Sequence, residues 1–283
     1  MEGLIIKILS DKCNVKVGEG VVVCGFRGKL RSQKLLPLVG DKVIINPKEK
    51  IIEKILPRKT EIRRPPVSNI TQGLIVASLK NPDLDTNLID KMIVELEYNH
   101  IKPVICFTKS DLLETDEKDQ VTPIIDYYKK LYPVYLNNEI ASIKGIFQNE
   151  ITVFMGQTGA GKSTLLNRIN PNLNLLTGEI SMALGRGRHT TRHVEIIEFN
   201  GGMILDSPGF SSLEFYNMLK EEIRDAFIEF HQFPCPYRDC MHIKESECMV
   251  KKAVLDGKIP AFRYDNYLNL VKTGSEKEYK RYK

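Results

Sequence analysis

The octapeptide Gly156-Gln157-Thr158-Gly159-Ala160-Gly161-Lys162-Ser163 constrains this chain more than any other stretch. It stands between an apolar run, Ile151–Met155, and a segment with helical apolar spacing, Lys162–Asn170. Its three glycines let the backbone curl so that N–H groups face phosphate oxygens. Lys162 supplies a point charge to β- and γ-phosphates, and Ser163 supplies a hydroxyl to Mg²⁺. The expected phosphate contact runs from Gly156 through Ser163 to Thr164. Such a loop joins a strand to a helix, so the chain must contain an α/β sheet with its ligand loops at the C-terminal strand ends.

The order of the other motifs is the second constraint. About fifty residues before that loop, the apolar run Pro103–Phe107 ends in Thr108-Lys109-Ser110-Asp111. A carboxylate at Asp111 accepts both N1–H and the exocyclic amine of guanine, a pattern that adenine does not present. The Lys109 stem suits the purine face, and the Thr108 hydroxyl suits a tie between neighbouring loops. After the phosphate loop come Gly185-Arg186-Gly187-Arg188-His189-Thr190-Thr191 and then Asp206-Ser207-Pro208-Gly209. Thr190 or Thr191 is expected to bind Mg²⁺, and the spacing does not choose between them. Asp206 is expected to reach Mg²⁺ through water, and the Gly209 N–H to meet the γ-phosphate. Ras-like enzymes carry these parts with the base reader last; here it stands first, as in a circular permutation. Phe210 occupies the place of their water-orienting Gln. His189 is the nearest group able to take over that task; its other role would be a contact to a partner or another loop.

Around this core the rhythm changes twice. Residues 3–56 hold five short β-branched runs, Leu4–Ile8, Cys13–Val17, Val21–Cys24, Lys42–Ile45 and Ile51–Ile55, which fit an OB-type barrel. Residues 1–65 carry fifteen Lys/Arg and seven Asp/Glu, a net of +8, whereas the whole chain carries only +5. That asymmetry suits a polyanion or a solvated basic face. Arg27, Lys29, Arg31 and Lys34, the RNA-binding candidates, form an acid-free loop that suits a phosphate backbone and, equally, a mobile solvated loop. Arg63-Arg64-Pro65-Pro66 reads as a linker. Beyond it, strands at Leu74–Ser78, Pro103–Phe107, Val134–Leu136 and Ile151–Met155 alternate with helices near Asn87–Tyr98, Gln120–Leu131, Ile140–Phe147 and Lys162–Asn170. His193–Phe199 and Met203–Leu205 flank a hairpin turn, giving a mostly parallel sheet with one antiparallel edge. From about Met218 the chain reads as helical.

Cys13, Cys24 and Cys106 sit in apolar runs and read as small core residues. Cys235, Cys240, His242 and Cys248 instead fall within fourteen residues, the donor set of a closed structural zinc site. No apolar stretch is long enough to span a membrane. The opening Met1–Lys7 segment lacks a basic leader, so a cytoplasmic protein is expected. The expected architecture is multidomain: an OB-fold RNA-binding β-barrel over 1–64, a circularly permuted α/β P-loop GTPase domain over 65–217, and a mainly α zinc-binding domain over 218–283.

With this motif order, the Cys/His cluster and the basic front barrel, the chain resembles the ribosome-small-subunit-dependent GTPase A family of bacteria along essentially its whole length. The most specific strings are the phosphate loop, Gly185 through His193, Asp206 through Ser211, and the Cys235/Cys240/His242/Cys248 set. The resemblance implies a GTP hydrolase acting late in small-subunit maturation, with hydrolysis to GDP and phosphate accelerated by the subunit and coupled to release of assembly factors or of itself. The small subunit and its rRNA, GTP and GDP are the implied partners, with Mg²⁺ beside the nucleotide, one structural Zn²⁺ and a monomeric state. The family's proposed catalytic histidine falls on His189. Two positions depart from its pattern: Thr108 replaces Asn, and Leu136-Asn137-Asn138 stands where a Ser-Ala pair often buttresses guanine. Two other readings use the same residues. One is a GTP-binding, RNA-associated switch or scaffold with little turnover, suggested by Phe210. The other is a P-loop ATPase or kinase, against which Lys109 and Asp111 argue. In the permuted order the Asp206 segment runs straight into the C-terminal unit, so nucleotide state is expected to pass there.

Overall fold

A computed structural model of the chain describes residues 1–26, 36–63, 66–171, 194–206 and 218–275. The front end is built from β1 (Glu2–Leu9), β2 (Lys12–Val17), β3 (Gly20–Phe26), β4 (Lys42–Asn46) and β5 (Ile51–Ile55). Period-two alternation sends Ile5, Cys13, Val15, Cys24, Val43, Ile45 and Ile52 to one side, where all are buried together. β1 pairs with both β2 and β4, β2 with β3, β3 with β5 in parallel, and β5 with β4. The ring therefore closes in the order 1-2-3-5-4, the expected five-stranded OB-type barrel. Burial pushes the Cys13 thiol up to about 12, as suits an inert core residue.

The stretch read as a linker is fastened down on both sides. β6 (Glu61–Arg63) and β7 (Pro66–Ser68) pair with Ile62 opposite Val67, and both of these side chains are buried. Arg64 and Pro65 lie outside the described residues. Behind the hairpin, the fully buried Asp41 carboxylate accepts from Arg58 Nε (2.7 Å), Arg58 Nη2 (2.9 Å), Ser68 Oγ (2.6 Å) and the Leu38 N–H (2.8 Å). Proline and arginine at a turn looked like spacer, whereas the single apolar residue on each side pairs and the buried carboxylate holds the pair to the barrel.

The central sheet holds β8 (Gln72–Ser78), β9 (Lys102–Thr108), β10 (Val134–Leu136), β11 (Ile151–Met155), β12 (Glu195–Phe199) and β13 (Gly202–Asp206). Its spatial order is β10-β9-β8-β11-β13-β12, parallel throughout except for β12. Alternate residues of each strand serve opposite layers. Ile75, Ile105, Phe107 and Val153 face α1 (Thr86–Tyr98) and α2 (Thr115–Leu131). Leu74, Val76, Val104 and Phe154 face α3 (Ile140–Gly145) and α4 (Lys162–Ile169). Burial of Ile89, Ile93 and Leu96 from α1 stabilises the layer by about 1.5–3 kcal/mol each. The Asp85 carboxylate caps that helix by accepting from the Leu88 N–H at 2.9 Å. α2 begins five residues before the expected Gln120. Its first turn is acidic and lacks apolar spacing, and Glu117 secures it by accepting from the Glu114 N–H at 2.8 Å. β12 is antiparallel as expected but is no edge, because Lys7 of β1 pairs with Glu195 and their side chains meet at 2.5 Å. The barrel and the nucleotide-type sheet thus form one continuous sheet.

The C-terminal unit contains α5 (Lys220–Asp225), a 3-10 helix at Ile228–Gln232, α6 (Met249–Leu255) and α7 (Ala261–Val271). Phe227, Phe230 and Tyr267 form its aromatic core, with Tyr267 edge-on to both phenyl rings at 5.2 and 5.0 Å. That core also takes in Val94 of α1. No described helix is long and apolar enough to cross a membrane.

Candidate functional site

Parallel pairing dictates where the motifs meet. β8, β9, β11 and β13 all end on one side of the sheet, with Ser78 opposite Thr108, Met155 opposite Ile75 and Leu205 opposite Val153. Thr108, Gly156 and Asp206 therefore emerge together although they are far apart in sequence. The sheet therefore gathers these loops at one end whatever the order in which the chain supplies them.

Gly156 has φ +136, and a Cβ there would run into the Val76 carbonyl, so the tight approach of β11 to β8 requires glycine. Gly161, at φ +90, turns the chain into α4. Helix α4 starts at Lys162, which leaves the first-turn N–H groups directed out of the helix, as an anion needs. Lys162 Nζ donates to the carbonyls of Gly156 and of Gln157, the latter at 2.8 Å. Burial holds this ammonium down to about 8, so its desolvation favours a negatively charged neighbour. Ser163 is buried, and Gln157, Thr158, Gly159 and Thr164 stand at the surface or half-exposed.

The Thr108 side chain, 3% exposed, donates through Oγ1 to the Ala160 carbonyl at 2.6 Å. The hydroxyl thus makes the loop-to-loop tie expected of it, joining the end of β9 to the phosphate loop. Lys109 adopts a left-handed conformation at φ 59, and its Nζ donates to the Asn81 carbonyl. For a lysine that conformation is strained and has to be held by its surroundings. Ser110 and Asp111 follow in a single 3-10 turn, with Asp111 exposed at the mouth of the site. The Leu136-Asn137-Asn138 loop lies alongside, since the Asn137 N–H donates to the Phe107 carbonyl at 2.9 Å. Asp206 pairs through its backbone with Glu195. His189, Thr190, Thr191, Gly209 and the basic set Arg27, Lys29, Arg31 and Lys34 lie outside the described residues.

Cys235, Cys240, His242 and Cys248 bring one ligand atom each to within 4.8 Å of one another. Cys235 Sγ is 3.8 Å from Cys248 Sγ, and His242 Nδ1 is 3.5 and 3.3 Å from those two sulfurs. Tetrahedral bonds of about 2.3 Å to sulfur and 2.0–2.1 Å to nitrogen put such donors about 3.8 and 3.5 Å apart. The spacing therefore fits four ligands around one metal ion. The N–H groups of Met249 and Lys251, in the first turn of α6, point at Cys235 and Cys248 sulfur at 3.2 and 3.4 Å and favour thiolate there.

Sequence reasoning passed over a polar cluster under α1. Asp90 and Arg263 are fully buried and paired, and Arg263 Nε also donates to Glu229 at 2.6 Å. Asp90 accepts in addition from Tyr128 Oη (2.6 Å) and Asn266 Nδ2 (2.7 Å). The available signal was Asp90 itself, a charge at helical spacing from the apolar Ile93 and Val94. A cavity of about 960 Å³ lies at the opposite end of the sheet, between the barrel and the Asn200–Gly202 turn, and contains none of the motif residues.

Comparisons with known proteins agree with this geometry. The family model for the RsgA GTPase matches residues 55–216, and that for the RsgA N-terminal domain matches residues 2–51. The small ribosomal subunit biogenesis GTPase RsgA of Enterococcus faecalis is 44% identical over 280 residues, covering 96% of this chain and 94% of the relative. The protein of the same name from Bacillus subtilis is 43% identical, covering 95% and 96%. Among solved structures, YjeQ from Thermotoga maritima superposes with a TM-score of 0.84 at 33% identity, covering 96% of this chain and 97% of that one. YloQ, described as a circularly permuted GTPase, gives 0.81 at 38% identity, covering 96% and 93%.

Proposed function

The chain belongs to the RsgA GTPase family, and from that premise we propose that it hydrolyses GTP to GDP and phosphate while serving small ribosomal subunit biogenesis. The observation that carries this reading is the meeting of Thr108-Lys109-Ser110-Asp111 with the Gly156–Ser163 loop, locked by the Thr108–Ala160 hydrogen bond. In the proposed site the Asp111 carboxylate reads the guanine edge and the Lys109 stem lies on the purine face. Lys162 and the loop N–H groups hold the phosphates, with Gln157, Thr158, Gly159, Ala160, Gly161 and Thr164 completing the cradle. Mg²⁺, when bound, neutralises developing charge on the phosphates. Ser163 and Thr190 or Thr191 would hold it, with Asp206 acting through water and Gly209 meeting the γ-phosphate. His189 is assigned the orientation of the attacking water, the task for which Phe210 has no suitable atom.

The metal is proposed to be a single structural Zn²⁺, because soft thiolates and a closed four-ligand set suit it. Zinc there would close the Cys235–Cys248 loop rather than take part in hydrolysis. Arg27, Lys29, Arg31 and Lys34 are proposed to grip rRNA phosphates, and the protein to act as a cytoplasmic monomer. The three units, 1–64, 65–217 and 218–283, are the proposed domain division. Co-sedimentation with purified small subunits tests the partner: binding should be stronger with a non-hydrolysable GTP analogue than with GDP. Equal and negligible pelleting in both states would contradict it.

A further inference from the structure

The turn Asn81–Asp85, between β8 and α1, is no part of any recognised nucleotide motif, yet it touches both of them. Its Asn81 carbonyl accepts from Lys109 Nζ, and its Asp83 carbonyl accepts from Gln157 Nε2 at 3.5 Å. Pro82 Cδ lies 3.6 Å from where a Cβ on Gly159 would stand. The base-reading lysine and the phosphate loop thus lean on one short turn. Leu84 is the turn's one apolar anchor, half-buried against the core under α1, while Asn81, Asp83 and Asp85 are exposed. Its far end is set by the helix that it enters, which Asp85 caps.

The first turns of α1 are gripped from the metal-binding unit. Asn266 Nδ2, on α7, donates to Thr86 Oγ1 at 3.1 Å and to Asp90 Oδ2 at 2.7 Å, and Asn266 is 6% exposed. On either side of Asn266, α7 is anchored to the metal loop: Tyr264 Oη donates to the His242 carbonyl at 2.6 Å, and Tyr267 Oη donates to the Met241 carbonyl. Asp90 also receives Tyr128 from α2, the helix that follows Asp111. Both chain segments flanking the guanine motif are therefore referred to one polar cluster shared with the C-terminal unit.

We infer that Asn266 is a positioning residue for the nucleotide site: by holding Thr86 and Asp90 it sets the Asn81–Asp85 turn, and so the Lys109 stem against the purine. The inference rests on the proposed assignment of Lys109 and Asp111 to base recognition and extends it to a residue of the metal-binding unit. It makes a selective demand. Lys109 packs on a purine face common to guanosine and inosine nucleotides, whereas Asp111 alone senses the amine that inosine lacks. Loss of the Asn266 grip should weaken both ligands alike, and loss of the Asp111 carboxylate should narrow the gap between them.

Calorimetric titration of the full-length, metal-loaded protein with GDP or inosine diphosphate, in Mg²⁺, separates these effects. Thr86→Val is expected to weaken both nucleotides about fivefold, the loss typical of one neutral hydrogen bond, and Asn266→Ala, which also loses the bond to the Asp90 carboxylate, by at least as much. Thr86→Ser, which keeps the acceptor, should bind as the parent does, and metal content should stay unchanged in all three. Asp111→Asn should erase most of the preference for GDP. Unchanged affinities in Asn266→Ala and Thr86→Val, with Asp111→Asn still losing preference, would overturn the positioning role alone. Failure of Thr86→Ser to restore binding would also overturn it. An Asp111→Asn protein with its preference intact would instead overturn the base-reading assignment beneath it.

Discussion

At the scale of single residues, two side chains show how the sequence's chemistry is spent. Burial holds Lys162 near 8, against 10.5 for a free lysine. Bound phosphate restores the charged form, so binding takes up a proton wherever the free group is neutral. Affinity for GTP should accordingly fall as pH rises through about 8. Calorimetry in buffers of different ionisation enthalpy reads that proton directly, and Lys162→Ala should remove the slope. Thr108 is the second case. Thr108→Val keeps the shape but leaves the buried Ala160 carbonyl without its donor, and should weaken GTP binding by about fivefold to tenfold. The phosphate loop and the Cys/His set were legible because their chemistry is carried by local spacing. Arg263 was not, since its partner Asp90 is 173 positions away and no window of sequence contains both. The nearest clue was one acidic residue on the apolar face of α1.

At the scale of elements, α1 and α7 are joined by charge as much as by apolar contact. Arg263 is buried between Asp90 and Glu229, and its guanidinium carbon lies 4.4 Å from the Phe227 ring centroid. Arg263→Met would strand two buried carboxylates and should cost about 3–5 kcal/mol, read as a shift in the denaturant midpoint. A midpoint within experimental error of the parent would mean that the cluster is not a structural joint. α6 and α7 depend on the loop between Cys235 and Cys248, which has few apolar residues of its own. Cys240→Ala should therefore lose bound metal by emission spectroscopy and lose helical signal by circular dichroism, whereas an intact helical signal without metal would show that the loop holds itself. Strand and helix positions were legible almost throughout, because alternation and helical spacing are strong in this chain. The errors fell where that signal is absent: the polar first turn of α2, and a hairpin whose buried faces amount to Ile62 and Val67.

At the scale of the whole molecule, connectivity and packing run crosswise. The chain leads from the Asp206 segment into the C-terminal unit, yet that unit packs on α1, beside the base-reading half. The barrel leads into the base-reading half, yet it pairs with β12, the strand that follows the Thr190–Thr191 segment. Each flanking unit is thus linked to one half of the nucleotide site by the chain and to the other by contact. The expectation that nucleotide state passes to the C-terminal unit rests on the first of these links, the chain, alone. The second depends on partners distant in sequence, Lys7 with Glu195 and Asn266 with Thr86, which no motif announces. A nucleotide site braced by both flanking units should respond to a partner large enough to touch both. GTP turnover measured alone and with purified small ribosomal subunits tests that most directly. A rise in rate with subunits, lowered by on the order of 10² or more in His189→Ala with GTP affinity retained, is the predicted result. A rate that small subunits leave unchanged would contradict the account.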